Sequence, residues 1–152
     1  MVKDKSSGGV VILVKESYLA RIHGAAGTRM FRTLYALVDG EKKDILNQGD
    51  KSCSLFVSSV LLSFALVKAV HVTVRGTVTD MESFGWARIR NPRAGCVVVW
   101  NAVNERGEEH EHIGFYIGSG TAVSNSSKKG VPHVHSYRAH TVKSLYWTSK
   151  LD

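Results

Sequence analysis

The segment from Ser52 to Phe64 constrains this chain more than any other. Phe56, Val57, Val60, Leu61 and Phe64 recur at helical spacing, and the segment is apolar nearly all the way round. A helix without a polar face must be covered on every side, so it belongs at the centre of the fold. Asp50 or Ser52 provides its cap, which puts Cys53 within the first turn.

The material to cover that helix lies downstream. Cys96–Trp100, His112–Ile117, Thr121–Asn125 and Val142–Trp147 read as strands. A polar turn over Asn101–Glu109, the tight turn Gly118-Ser119-Gly120 and a loop over Ser126–Pro132 join the first three and lead onward, leaving His133 and His135 in a loop. The first half reads as helical. Tyr18, Leu19 and Ile22 mark a short helix before Gly24, and Met30, Phe31, Leu34, Tyr35, Leu37 and Val38 mark another over Thr28–Val38, stopped by Asp39-Gly40. Thr79-Asp80-Met81-Glu82 has the capping-box pattern of a short helix running to Phe84 and ended by Gly85. Val10–Val14 reads as a buried strand or an ordered arm. Helices first and an antiparallel sheet after give an α+β class, with N-terminal helices packed on a C-terminal sheet.

A length of 152 residues is most simply one domain over 1–152. The longest apolar-rich stretch, Leu55–Val70, is broken by Ser58, Ser59, Ser63 and Lys68, short of the roughly 18 residues of a membrane span. Lys15 and Glu16 cut off the apolar run after Lys3 and Lys5, so no export signal is expected and the cytoplasm is the default location, with action at a cell wall open to it by other routes. Twenty Lys and Arg against 13 Asp and Glu give a net charge of +7, which favours polyanions: nucleic acid, an anionic membrane or an acidic wall polymer. The basic residues are dispersed with no run of five, which fits a solvated surface better than a nucleic-acid stripe. Two cysteines in a chain without an export signal are expected to stay free, Cys96 as packing and Cys53 as the reactive one.

A thiol in the first turn of a helix meets unpaired amides and the positive end of the helix dipole, both of which favour the thiolate. The same amides suit an oxyanion. His112 opens a strand, and Gly114 two residues later leaves room for a close approach beside it. The third member of such a set follows from the hairpin. A two-residue turn at Gly118-Ser119 or Ser119-Gly120 puts Asn125 on the face of His112; a three-residue turn puts Ser124 or Ser126 there. Asn125 fits the orienting role of a Cys-His-Asn set, against a simple turn-shaping role in Ser124-Asn125-Ser126-Ser127. Tyr18 and Tyr35 are candidates for a phenol near the thiol, and Trp86, Trp100 and Trp147 are expected in the core or the cleft wall.

Ser52-Cys53-Ser54-Leu55-Phe56-Val57-Ser58, Arg93-Ala94-Gly95-Cys96-Val97-Val98-Val99-Trp100 and His112-Ile113-Gly114-Phe115-Tyr116-Ile117-Gly118-Ser119-Gly120 together resemble the three blocks of the NlpC-type papain-like cysteine peptidases and the related CHAP amidases. The resemblance covers about residues 50 to 127. It implies a papain-like fold and amide hydrolysis, typically in peptidoglycan stem peptides, with Cys53 as nucleophile, His112 as base and a third residue at about Ser124 or Asn125. No cofactor and no metal are expected. Ser52 stands where the family often has Asp or Asn, Cys96 where an acidic residue usually follows the glycine, and the third position holds no histidine.

Two readings compete with hydrolysis. One is a non-catalytic binder of nucleic acid or cell wall. The other is a zinc-binding module, since His110/His112 and His133/His135 are His-x-His pairs whose members share a face on a strand. Against zinc, His-Glu-x-x-His is absent.

Overall fold

The computed structural model describes residues 9–152. Its class is α+β: three helices and an antiparallel sheet. The chain runs α1 (Val14–Gly24), β1 (Tyr35–Val38), β2 (Glu41–Asp44), α2 (Cys53–Leu62), α3 (Val74–Ser83), β3 (Ala87–Ile89), β4 (Val97–Val103), β5 (Glu109–Gly118), β6 (Thr121–Ser126), β7 (Val131–Ser136), β8 (Thr141–Trp147) and a terminal 3₁₀ turn. Strands β1 and β2 form a separate hairpin, and the main sheet has the order β3-β8-β4-β5-β6-β7. Among the described residues no helix is long and apolar enough to cross a membrane.

The all-apolar helix is central, as expected. Phe56, Val57, Val60 and Leu61 of α2 are buried. The helix packs on β5 and β6, with Phe56 edge-on to Phe115 at 5.4 Å. Tyr18 of α1 closes the same cluster, edge-on to Phe115, and its hydroxyl donates to the Gly95 carbonyl at 2.8 Å. That bond accounts for the phenol of Tyr18, which serves the core; Tyr35 is exposed on the β1–β2 hairpin. Trp86, Trp100 and Trp147 are buried.

Four local expectations are corrected. Thr28–Val38 is not a helix. Asp39 and Gly40 both have positive φ, 53° and 81°, and form the two-residue turn of the β1–β2 hairpin rather than a helix stop. The spacing of Leu37 and Val38 carried a helical signal, but both are exposed and pack on no core. Val10–Leu13 is neither strand nor buried; these side chains are exposed, and α1 starts at Val14. Helix α3 begins at Val74, capped by the Thr73 hydroxyl on the Gly76 amide, so Thr79–Glu82 lies inside it. Asp80 was the misleading residue. Its carboxylate accepts from the amides of Lys68 and Ala69 and sits 2.7 Å from His71 Nε2, so it secures the α2–α3 connection and caps nothing. Finally, His133 and His135 lie on β7, an edge strand of the main sheet where a loop was expected.

Candidate active site

Helix α2 delivers Cys53 as its first residue. The first helical bond runs from the Phe56 amide to the Ser52 carbonyl, and the Ser52 side chain makes no cap bond, so the amides of Cys53, Ser54 and Leu55 have no helical acceptor. The thiol is half-buried, with Ser54 Oγ 3.9 Å from the sulfur. Cys96 is buried and also free.

The loop before α2 is tied to the sheet by close backbone packing. Gly49 and Gly130 cross so tightly that a Cβ on either would overlap the other's chain or its neighbour's. Asn125 Nδ2 donates to the Gly49 carbonyl at 2.6 Å. The side chain of Asn125 is therefore committed to the loop that carries Cys53.

The hairpin register explains why Asn125 is not beside His112. The turn Ser119-Gly120 has two residues, but the ladder slips by one between Tyr116 and Gly118, at a bulge on Ile117. Below it Gly114 faces Ser124, and every side chain of β6 changes sides relative to an unbulged hairpin. Ser124 shares the face of His112, and Asn125 points to the opposite face, towards α2. His112 Nε2 lies 2.8 Å from Ser124 Oγ. Ser124 Oγ in turn lies 2.6 Å from His135 Nε2, and His135 Nδ1 lies 2.9 Å from the Ser136 carbonyl. Both imidazoles stand against Trp100, His112 at 5.7 Å and His135 at 5.5 Å between ring centroids. Gly114 is what makes this possible: a Cβ there would meet the Val123 carbonyl at 2.6 Å, Ser124 Cβ at 2.7 Å and Trp100 at 3.0 Å.

Cys53 and His112 line one cavity of about 1120 Å³. Among the described residues no thiol–imidazole hydrogen bond joins them. The β5–β6 ladder ends at Gly114 and Ser124, and the amide of the next β5 residue, Ile113, is close enough to the Cys53 sulfur to favour its thiolate. The thiol thus lies near the β5 backbone at Ile113, the residue after His112. Lys51, Arg106 and Lys128 line the cavity together with Asp50, Glu105 and Glu108, so its walls present both signs of charge.

Burial raises the Cys53 thiol above its ordinary pKa, against the opposing pull of the Ser54 hydroxyl and the amides of Ile113, Ser54 and Cys53. The expected lowering by the helix end is outweighed by desolvation. Burial also pushes His112 down to about 3, aided by repulsion from His140, His135, His110 and His133. The resting pair is a neutral thiol and a neutral imidazole.

His133 and His135 stack at 4.9 Å. Among the described residues no three His, Cys, Asp or Glu side chains are grouped to hold a metal ion. His135 is the site residue for which the sequence offered only a zinc pairing with His133. Its signal was the alternation His133-Val134-His135 after Pro132, which fits a strand as well as a loop. Compared with protein-family models and with curated proteins, the chain matches none.

Proposed function

We propose that this protein is a cysteine hydrolase of papain-like architecture that cleaves an amide bond, with Cys53 as nucleophile and His112 as base. One observation carries the reading: a half-buried thiol at a helix start shares a cavity with a histidine whose Nε2 lies 2.8 Å from Ser124 Oγ. Ser124 takes the orienting place for which Asn125 was the candidate.

The resting protonation states select the order of events. With thiol and imidazole both neutral, the proton leaves sulfur as sulfur attacks. His112 accepts it at Nδ1, the nitrogen not engaged by Ser124, while the new C–S bond forms and the carbonyl electrons move to oxygen. The first-turn amides of Cys53 and Ser54, which have no helical acceptor, are the donors for that oxyanion. Collapse breaks the C–N bond, and the imidazolium returns its proton to the departing amine. Water then attacks the thioester as His112 takes one of its protons, and when the C–S bond breaks His112 returns that proton to sulfur, which regenerates the thiol and frees the carboxylic acid.

The substrate class is a peptide bearing both carboxylates and amines, matched to a cleft lined by both signs of charge. Peptidoglycan stem peptides have that character, and a net charge of +7 suits an anionic wall. The test is incubation of peptidoglycan, or of a γ-glutamyl peptide, with wild type and with Cys53→Ala. New amines released by the wild type alone are the expected result. Equal release by both, or release by neither, overturns the reading.

A further inference from the structure

We propose that His135 is a positioning residue of this site, acting through Ser124 to hold the His112 proton on Nε2 and keep Nδ1 bare. It rests on the reading of Cys53 and His112 as nucleophile and base, and it extends their set by one link.

The direction of each bond follows from what the partners are able to do. The Ser136 carbonyl can only accept, so the 2.9 Å contact requires a proton on His135 Nδ1. A neutral imidazole carries one N–H, so His135 Nε2 is bare and can only accept. The Ser124 hydroxyl, 2.6 Å away, must then be its donor. A serine has one proton to give. The other contact of Ser124, at 2.8 Å, must therefore run from His112 Nε2–H to the serine oxygen. His135 is neutral because burial, with repulsion from His140, lowers its pKa against the contrary effect of the Ser136 carbonyl.

Remove the acceptor at 135 and the constraint is lost. The Ser124 hydroxyl is then free to turn and donate to His112 Nε2. That arrangement moves the His112 proton to Nδ1, the nitrogen needed as base. A positioning carboxylate would fix the tautomer and add charge; His135 fixes the tautomer without charge, on a ring held by Trp100 and by stacking on His133. The strand register Ala122 to His135 and Ser124 to His133 sets the reach.

The experiment is ¹⁵N-histidine labelling, with long-range ¹H–¹⁵N spectra that show which ring nitrogen bears the proton. Wild type is expected to show His112 protonated at Nε2. His135→Leu is expected to move the proton wholly or partly to Nδ1, as is Ser124→Ala. His135→Gln, whose amide oxygen still accepts, is expected to keep the wild-type tautomer. In turnover of a γ-glutamyl peptide, His135→Leu is expected to lower kcat roughly 10²-fold, the low end of a positioned base's contribution, with KM little changed and His135→Gln recovering most of it. A wild-type His112 protonated at Nδ1 overturns the proposal without any variant. So does an unchanged tautomer in folded His135→Leu. The spectra do not need turnover: if the tautomers behave as stated and no peptide is cut, the hydrolase reading fails and the positioning role stands.

Discussion

The two walls of the cleft are built on different principles. The histidine wall is regular sheet. His112, Ser124 and His135 come from three neighbouring strands, and ladder register puts them within hydrogen-bond reach of one another. The cysteine wall is a loop and a helix end. Cys53 is placed by backbone crossing of Gly49 with Gly130 and by one amide bond from Asn125, with the buried hydroxyl of Ser52 left unpaired. The first wall orients the His112 ring through side chains that must be correct one by one. The second offers unpaired amides, and its accuracy depends on how the chain enters α2. A general base needs its tautomer fixed; an oxyanion needs donors left free.

The sharpest way to break the histidine wall is Gly114→Ala. A methyl group at that position would overlap the Val123 carbonyl at 2.6 Å and Ser124 Cβ at 2.7 Å. Backbone cannot yield as a flexible side chain can, so β5 and β6 must part. The expected cost is about 3 kcal/mol, at the upper end of ordinary overpacking, together with loss of the His112–Ser124 contact. Urea unfolding measures the first and the His112 ring spectra the second. A variant of wild-type stability with its tautomer intact would show that the close approach is not needed.

Second in size is the acid response. His112 has a folded pKa of about 3, below its ordinary 6.5. Between those values the unfolded chain binds a proton that the folded chain refuses, so stability is full above 6.5 and falls as pH drops towards 3. At pH 5 the share of His112 is about 2 kcal/mol. His133 and His135 are lowered too and act in the same direction; Asp80, held low by His71 and by the Lys68 and Ala69 amides, adds its own loss at more acid pH. The His112→Gln variant isolates the one term. Its stability should gain on wild type steadily from pH 6.5 to pH 4.5 in urea titrations; parallel curves would mean that the ring protonates freely in the fold.

What could be read from the residues divides along the same line as the walls. Helix α2, the α+β class, and the strands that carry His112 and Ser124 follow from apolar spacing and glycine turns, because burial of a whole face leaves a periodic trace. The β-bulge at Ile117 leaves none. One extra residue in a ladder is a backbone event, yet it reverses the facing of Ser124 and Asn125 and so changes which of them meets His112. The thiol's pKa was misjudged for a related reason. Position in a first turn is visible in a sequence, whereas the depth at which that turn is buried depends on strands some sixty residues away. The Thr28–Val38 segment failed differently: its apolar residues have helical spacing, but of them Phe31 packs on Phe56 while Met30, Tyr35, Leu37 and Val38 stay exposed, and Asp39-Gly40 decided for a hairpin.

Asn125→Ala probes the cysteine wall alone. It removes the bond to the Gly49 carbonyl and leaves that buried acceptor without its donor, a loss of about 1–3 kcal/mol. The side chain points away from His112, so the His112 tautomer should stay as in wild type. The consequence should fall on Cys53 instead. With the entry to α2 loosened, water reaches the sulfur, and the burial that raises its pKa weakens. Iodoacetamide should therefore label Cys53 faster at pH 7 in Asn125→Ala than in wild type, with Cys96, fully buried in both, as the internal control. If Asn125 were the orienting partner of His112, the same substitution would disturb the imidazole and leave the labelling rate alone. The two outcomes separate a residue that aims His112 from one that sets the entry to Cys53.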